Sequence, residues 1–346
     1  MRCPTLAELP PPPAGKTGWP WTEETLPPDD APATMRARDW PKITIVTPSY
    51  NQGQFLEETI RSVLLQGYAN LEYLIVDGGS TDDSVEIIRK YEKYLAWWTS
   101  KKDRGQSHAL NQGFARSSGD IHAFLNSDDV YEPGAFHACV GAFKQKQQWV
   151  VGQVHYFQEE RRWLVPQSSG KSLADWLVPC PFCQPGCFWA TNLHRQLGEF
   201  REDLHYFFDY EFWLRMRFDK GIRPLVIPQK VARYRLHPQS KTVVHEAAFV
   251  SEGRVIQEFY KHRLTRAQRI WLPISLQHRK ARIRGEKAIY CFKAGNFTAG
   301  LRMLTSALVA WPFIVLDRRA LIGIKALISR KQNRTVVPAM GFEWKD

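Results

Sequence analysis

Apolar and polar positions follow two alternating patterns along residues 41–125. Short β-branched runs alternate with segments in which the apolar residues recur at helical spacing. The β-branched runs predict strands, and the periodic segments predict amphipathic helices. The predicted strands are 43–47, 73–76, 95–99 and 121–125, with a predicted helix in each interval between them. This alternation predicts a mostly parallel sheet covered by helices on both faces, an α/β fold.

A polar cluster follows each predicted strand. The four clusters occupy residues 48–51, 77–82, 103–106 and 126–129. In open parallel sheets, ligands bind beyond the carboxyl ends of the strands. We therefore expect the carboxylates of these clusters to meet at one edge of the sheet: Asp77, Asp82, Asp103, Asp128 and Asp129.

The neighbouring carboxylates Asp128 and Asp129 allow two interpretations. Like charges this close repel one another unless a cation lies between them. A hard divalent ion such as Mg²⁺ or Mn²⁺ accepts one or two carboxylates together with phosphate oxygens of a substrate. The alternative is a turn, in which aspartate is common without any ligand. The tetrapeptide 126–129 by itself does not decide between the two.

The remaining sequence divides into three parts. Residues 1–40 hold nine of the 22 prolines and predict an extension that is poorly ordered or lies across the surface of the domain. Residues 41–245 form the predicted α/β domain, although 146–240 mixes short strands with aromatic segments. From His245 the pattern becomes helical and basic to about Lys331, so 246–346 is predicted to be a helical appendage.

Positive charge is concentrated in the C-terminal quarter. Residues 254–346 contain 19 Lys and Arg against 5 Asp and Glu, a net charge of +14, whereas the whole chain carries +12. Anionic lipid and nucleic acid are both candidate partners for such a region, and a basic packing domain is the third reading. No nucleic-acid motif accompanies it, so we do not expect nucleic acid as a partner. An anionic membrane surface is favoured because apolar side chains lie among the arginines: Trp271, Leu272, Ile274 and Leu276.

The chain shows neither a secretory signal nor an apolar run long enough to cross a bilayer. We therefore expect a cytoplasmic protein, with the inner face of the plasma membrane as its candidate surface. Six cysteines in a chain of this size do not predict a disulfide framework. Cys180, Cys183 and Cys187 have a zinc-like spacing, but the prolines between them and the lack of a fourth ligand disfavour zinc.

Longer motifs now join the clusters into a family pattern. Residues 45–51, 76–82 and 126–129 closely resemble the motifs of family 2 glycosyltransferases, which have the GT-A fold. The other segments that match in the same order are 102–106, 111–113, 184–185, 198–200, 209–215 and 234–237. The resemblance covers roughly residues 42–240 and points to enzymes of bacterial surface polysaccharides. It implies a Rossmann-like sheet that binds a nucleotide-diphosphate sugar.

The resemblance implies roles for the residues on the nucleotide side. Pro48 and Tyr50 would line the base pocket, and Asp77 would read the edge of the nucleobase. Asp103 would lie near the nucleotide. The remaining nucleotide-sugar residues implied by these motifs are Asn51, Asp82, Arg104, Gly105, Asp128 and His237.

The resemblance also implies a mechanism. Asp128 or Asp129 would be the principal ligand of Mg²⁺ or Mn²⁺, with Asp128 favoured, and His237 would lie near the diphosphate or the metal. Asp209 matches the general base, which removes a proton from a hydroxyl of a saccharide or lipid-linked acceptor. That hydroxyl attacks the anomeric carbon directly, so the sugar is transferred with inversion, in the synthesis of cell-surface polysaccharide or glycolipid.

Two departures from the family pattern change details of this expectation. Asn126 stands where the first aspartate of the D-x-D signature is usual, so we expect fewer carboxylates to bind the metal. Phe208 precedes Asp209 where many relatives carry Glu, and an apolar setting would raise the pKa of the Asp209 carboxyl.

Other functions fit the sequence less well. The first strand lacks a G-x-G-x-x-G motif, which disfavours a dinucleotide oxidoreductase, and a P-loop motif is absent. A catalytically inactive nucleotide-sugar-binding protein and nucleic-acid binding through the basic tail remain as alternatives.

Overall fold

The structure is a computed structural model that describes residues 1–26, 39–143, 147–158, 161–165, 167–170, 174–177, 180–293 and 296–311. Its strands are β1 Ile43–Ser49, β2 Leu71–Asp77, β3 Trp97–Ser100, β4 Ile121–Phe124, β5 Val130–Tyr131, β6 Trp149–Gln158, β7 Arg161–Val165, β8 Cys187–Ala190 and β9 Leu225–Arg235. Its α-helices are α1 Gly53–Leu64, α2 Ser84–Tyr91, α3 Gln106–Phe114, α4 Ala135–Phe143, α5 Ala174–Leu177, α6 Thr191–Leu197, α7 Phe208–Phe218, α8 Lys241–Val244, α9 Glu246–Lys261, α10 Arg266–Lys293 and α11 Phe297–Ala310.

All of these strands join one mixed sheet, in the order β3-β2-β1-β4-β8-β6-β9-β5, with β7 paired to β6. The first four in that order are parallel to one another. Beyond them, β8 pairs antiparallel to both β4 and β6, and β9 runs parallel to β6. The four predicted parallel strands therefore form one half of the sheet, and β8, β6, β9 and β5 form the other half.

Burial on both faces explains why the strands in the first half of the sheet are rich in β-branched residues. Every residue of β1 is buried, as expected for a parallel strand covered on both faces. Helix α3 lies close to β1, because a Cβ at Gly113 would come within 2.5 Å of the Val46 side chain. Glycine at this position allows the close approach of helix and strand that the core requires.

The predicted parallel half is confirmed, with differences of one or two residues at the strand ends. The first strand extends to Ser49 rather than residue 47, and the helix predicted between the third and fourth strands spans Gln106–Phe114. The short strand β5 and the long strand β9 were not predicted individually. They carry few sequence signals because β5 has two residues and β9 has three consecutive exposed residues, 228–230, in its middle.

The first 26 residues pack against the α/β unit. Trp19 and Trp21 are 9% and 7% exposed, and the indole of Trp19 donates to the carbonyl of Tyr131 at 2.8 Å. Arg61 of α1 is fully buried and donates to three carbonyls of this segment, those of Pro10, Pro20 and Trp21. A buried guanidinium requires such acceptors, so the segment is anchored at its middle.

The chain forms two compact units. The first comprises residues 1–169 and 182–240, and the second comprises 170–181 and 241–346. The division into an extension (1–40), a catalytic domain (41–245) and a basic region (246–346) stays a prediction. In the second unit, α9, α10 and α11 agree with the predicted helical appendage; residues 312–331 of that prediction lie outside the described residues.

The second unit exposes several large apolar side chains. Ile270, Trp271 and Ile274 of α10 are 66%, 64% and 44% exposed. Leu272, which we grouped with these apolar residues as suited to a membrane surface, is instead 5% exposed and belongs to the core of the unit. Among the helices that the structure describes, none combines the length and the apolar character that crossing a membrane requires.

Candidate functional site

The parallel half of the sheet brings three predicted polar clusters together. Ser49 at the end of β1 pairs with Asp77 at the end of β2, and Asp77 pairs in turn with Ser100 at the end of β3. Strand β4 lies on the other side of β1 and ends at Phe124, two residues before Asn126. The carboxyl ends of the four strands therefore form the common edge that the sequence predicts.

Asp77 has its carboxylate enclosed by donors from the protein. The side chain is fully buried and accepts bonds from the backbone N–H groups of Gly79 and Ser80, at 3.1 and 2.8 Å. The hydroxyls of Ser80 and Ser100 also donate to it. In this arrangement Asp77 shapes the turn at the end of β2 and ties it to β3. Its role in reading a nucleobase stays a prediction.

The turn after β1 carries an exposed aromatic ring and lies beside the turn after β2. Tyr50 is 61% exposed, whereas Pro48 is buried in the strand. Asn51 has a φ of 51°, in the left-handed region, and its side-chain oxygen accepts the backbone N–H of Thr81 at 2.9 Å. The turns after β1 and β2 are thereby joined, with the Tyr50 ring at the surface.

Asp82 connects the same two turns from the other side. Its carboxylate accepts the backbone N–H of Gly53 at the start of α1, at 2.8 Å, and that of Ser84 at 3.0 Å. Desolvation opposes ionisation, but the hydrogen bonds from Ser84 and Gly53 outweigh it, and the pKa of Asp82 falls below its ordinary value. Asp82 therefore stays ionised and stabilises the starts of α1 and α2.

The turn after β3 contains Asp103, Arg104 and Gly105. Asp103 accepts the backbone N–H of Gly105 at 2.8 Å, and Gly105 has a φ of +117°, which favours glycine. A Cβ at Gly78 would lie 3.1 Å from the Asp103 carboxylate, so this turn adjoins the one after β2. The guanidinium of Arg104 bonds to Glu202 at 3.0 Å. Glu202 was missed in the sequence, because it follows the recognised Gly198-Glu199-Phe200 segment without matching a motif.

The fourth cluster brings Asp128 to His237. The Asp128 Oδ2 and the His237 Nε2 lie 3.0 Å apart, and the Asp128 side chain remains 21% exposed. The ring of Phe55, on α1, lies against the imidazole with centroids 4.7 Å apart. The structure thus places a carboxylate and an imidazole 109 residues apart in the chain at one accessible point.

Asp129 differs from its neighbour in burial. It is 1% exposed, and its Oδ1 accepts the backbone N–H of Arg235 at 2.9 Å. Burial, and then the charge of Asp128, raise the pKa of the Asp129 carboxyl well above its ordinary value. Its Oδ2 is buried and has no hydrogen-bond partner among the described residues. In this structure Asp129 holds the loop 126–129 to the end of β9; whether it also binds a metal is a prediction.

Asn126 is paired with an amide that we did not single out. The Nε2 of Gln106 donates to the Asn126 Oδ1 at 2.6 Å. The residue that replaces the usual carboxylate is therefore oriented by the first residue of α3.

Asp209 lies on the first turn of α7 and is half-buried. The preceding residue, Phe208, is 3% exposed and its ring packs against Phe124 and Phe200, with centroids 6.2 and 5.7 Å away. Phe124 is the last residue of β4, so α7 begins beside the strand that carries the acidic loop. The packing of Phe208 explains an apolar residue next to the predicted base.

The donor atoms at Asp128 and His237 fit a divalent ion that takes its other ligands from a diphosphate and water. Mg²⁺ and Mn²⁺ accept carboxylate oxygen, and imidazole is a common ligand of the transition metals. Within the described residues, no group of three or more His, Cys, Asp or Glu side chains is arranged to hold a metal. Metal binding at this point stays a prediction.

Comparisons with known proteins find sequence relatives of this chain. The sequence model of Glycosyl transferase family 2 matches residues 44–219. An uncharacterized glycosyltransferase of Mycobacterium tuberculosis is 33% identical over 183 residues, which cover 51% of this chain and 68% of the relative. TuaG of Bacillus subtilis, named as a teichuronic acid biosynthesis glycosyltransferase, is 36% identical over 100 residues, covering 27% of this chain and 38% of TuaG.

A solved structure supports the fold. The mannosyltransferase PcManGT from Pyrobaculum calidifontis, in complex with GDP-Man and Mn²⁺, aligns with a TM-score of 0.50 at 18% identity, over 85% of this chain and 88% of that one. This likeness confirms the GT-A fold implied by the sequence motifs. The family match spans half of the chain and includes all four clusters at the strand ends. The chain therefore belongs to glycosyltransferase family 2.

Proposed function

We propose that this glycosyltransferase moves a sugar, with inversion, from a nucleotide-diphosphate donor to a hydroxyl of a saccharide or lipid-linked acceptor. The observation that carries the proposal is the meeting of Asp128 and His237 at 3.0 Å beyond the end of β4. Such a pair suits the charged diphosphate end of a donor, while the exposed ring of Tyr50 suits a nucleobase. PcManGT, which shares the fold, is described with a sugar nucleotide and Mn²⁺.

Mg²⁺ or Mn²⁺ would be held by Asp128 and His237 together with donor phosphates. When bound, the ion neutralises charge on the leaving diphosphate. Asp209 takes the proton from the acceptor hydroxyl, which attacks the anomeric carbon from the face opposite the nucleotide. A single displacement of this kind inverts the anomeric configuration. Tyr50 and the turns at Asn51, Asp82 and Asp103 orient the nucleoside.

A thermal-shift panel tests the donor. We expect one nucleotide sugar, among UDP and GDP sugars, to raise the Tm of the parent protein only when Mn²⁺ is present. Asp128→Asn should lose this shift, whereas Glu92→Gln, a change at an exposed acid after α2, should retain it. The absence of a shift with every donor would contradict the proposal. Donor binding without release of nucleoside diphosphate in the presence of acceptors would favour the inactive alternative.

We propose in addition that the acceptor belongs to cell-surface polysaccharide or glycolipid synthesis. The name of TuaG supports polysaccharide. An acceptor linked to lipid would be met at the inner face of the plasma membrane by a cytoplasmic enzyme. The exposed Ile270, Trp271 and Ile274 lie in a region rich in arginine, which suits the surface of an anionic membrane.

Liposome flotation tests the membrane contact. At low salt we expect the protein to float with anionic vesicles and not with neutral ones. The double variant Trp271→Ser, Ile274→Ser should bind less, and Val309→Ser, at an 84% exposed position on α11, serves as the control. Failure of the parent protein to bind anionic vesicles would contradict the proposed membrane contact but would not bear on the proposed sugar transfer.

A further inference from the structure

Arg235, the last residue of β9, contacts the acidic loop through both its backbone and its side chain. Its backbone N–H donates to the Asp129 carboxylate at 2.9 Å, and its Nε donates to the backbone carbonyl of Asp128 at 2.8 Å. His237 follows two residues later and meets Asp128. The conformation of the loop and the position of the imidazole are therefore tied to one residue.

The guanidinium of Arg235 is itself held from three sides. Its Nη2 donates to Glu58 of α1 at 2.8 Å, and the two side chains are only 15% and 19% exposed. The rings of Phe55 and Phe157 lie 4.7 and 4.4 Å from the guanidinium carbon. Stacking of this kind and hydrogen bonding in two directions use the planar fork of arginine, which lysine does not reproduce.

We propose that Arg235 and Glu58 are positioning residues that fix the Asp128–His237 pair for the metal-bound diphosphate. The inference rests on the proposed function, since it assigns these residues to the same site. Glu58 orients the guanidinium, the guanidinium holds the Asp128 carbonyl, and the strand end then sets His237 at its distance from the Asp128 carboxylate. In this proposal both residues act through Asp128 and His237 and not by binding the donor themselves.

The contact with Glu58 makes α1 part of the metal-binding arrangement. Phe55 lies one turn before Glu58 on α1 and touches both Arg235 and the imidazole of His237. The same helix begins at the turn that carries Tyr50 and Asn51. A shift of α1 would therefore move the nucleoside side and the diphosphate side of the site together.

A second arginine on β9 provides a matched control. Arg233 also forms a buried ion pair, with Glu132 at 2.6 Å, and its side chain is 10% exposed. Its partner lies on the segment after β5 rather than in the loop 126–129. Substitution of either arginine by lysine should cost stability, but only Arg235→Lys should disturb the metal site.

The test is Mn²⁺ binding to the full chain, measured by the free-ion EPR signal with UDP or GDP present. We expect Arg235→Lys and Glu58→Gln to weaken Mn²⁺ binding by about tenfold or more, the range for residues that orient metal ligands. Arg233→Lys should bind Mn²⁺ as the parent does. Circular dichroism and Tm establish for each variant that the fold is retained.

The outcomes separate the inference from the function on which it rests. Suppose that Arg235→Lys and Arg233→Lys both bound Mn²⁺ as tightly as the parent and lost similar amounts of Tm. The pair Arg235–Glu58 would then be an ordinary structural ion pair, and the inference would be overturned. Equal weakening in both variants would overturn it as well, because the effect would then follow from stability. If the parent itself bound no Mn²⁺ with either nucleotide, the proposed metal site would fail first, and the inference with it.

Discussion

The turn after β2 and the loop after β4 both place aspartates at the ends of parallel strands, yet they use them in opposite ways. Asp77 is fully buried and accepts bonds from two backbone N–H groups and two serine hydroxyls. The side chain of Asp128 is 21% exposed and meets only the imidazole of His237 among the bonds described. The Asp77 carboxylate accepts hydrogen bonds from several groups of the protein, whereas the Asp128 carboxylate is partly exposed to solvent.

The contrast shows that position at the strand end does not assign a role. A carboxylate whose lone pairs are filled by donors of the fold holds the backbone in place, whereas one with unfilled lone pairs can bind a cation or a ligand. Asp129 combines features of both, since it is buried like Asp77 and adjoins Asp128. Substitutions at these positions should therefore affect stability and activity to different degrees.

The largest expected effect is the loss of sugar transfer in Asp128→Ala. Removal of the accessible carboxylate should lower donor turnover by about a thousandfold or more, because charge on the leaving diphosphate is no longer stabilised. Initial rates of nucleoside diphosphate release with the identified donor measure the change. Activity equal to that of the parent would show that Asp128 has no role in sugar transfer, and the contrast drawn with Asp77 would not hold.

The second effect concerns stability rather than activity. Asp77→Asn should lower the free energy of unfolding by about 3 kcal/mol, because an amide cannot accept all the bonds that the carboxylate receives in a buried site. Urea denaturation measures this loss.

Asp128→Asn is the matched variant for that measurement. Since its side chain is partly exposed and close to the buried Asp129, its free energy of unfolding should stay within about 1 kcal/mol of the parent. A larger stability loss in Asp128→Asn than in Asp77→Asn would reverse the assignment of the two aspartates.

A third prediction extends the contrast to histidines. His122 and His194 face each other in the core with their Nδ1 atoms 3.2 Å apart, whereas His237 lies at the accessible site. Burial, followed by the charge of Arg215, lowers the pKa of His194 from 6.5 to about 4, and burial lowers that of His122 well below 6.5. Below pH 6.5 the unfolded chain therefore binds more protons than the native one.

The stability contributed by this pair should be complete above pH 6.5 and be lost as the pH falls from there through about 4. The first pH unit below 6.5 should cost about 1 kcal/mol per histidine. Denaturation at a series of pH values measures the slope, which His194→Phe should reduce even if the variant is less stable. A steeper slope in His194→Phe would contradict the prediction.

The smallest effect is expected for Asn126→Ala. Because Asn126 is an amide already engaged by Gln106, its loss should reduce turnover by only a few-fold, about 1 kcal/mol or less. Steady-state kinetics in parallel with Asp128→Ala checks the difference. A loss at Asn126 as large as that at Asp128 would mean that the amide takes the role of the missing carboxylate.

The parallel half of the fold could be predicted because its signals are local. Residues 43–46 are β-branched along their whole length, and each strand ends in a polar cluster. The second half could not be predicted in the same way. Strand β9 pairs with β6 across a long stretch of chain and has exposed residues in its middle, so its pairing depends on tertiary contacts.

For the candidate site, the sequence motifs named residues but could not predict the contacts among them. Motifs placed Asp128 and His237 in one function, and the structure brings them together. Sequence spacing gave no means to find Glu58, whose relevance arises from a bond to Arg235 across 177 residues. It also gave no means to distinguish the filled carboxylate of Asp77 from the open one of Asp128, because burial and donor count are properties of the folded chain.

The anchoring of the N-terminal segment by Arg61 bears on how a minimal version of this enzyme could be made. The shared family sequence begins at residue 44, which invites a shortened protein that starts near β1. Such a protein would lose the carbonyls of Pro10, Pro20 and Trp21, which accept hydrogen bonds from the Arg61 guanidinium. A useful truncation would have to retain residues 1–26, or replace Arg61 with an apolar side chain of similar length such as Met.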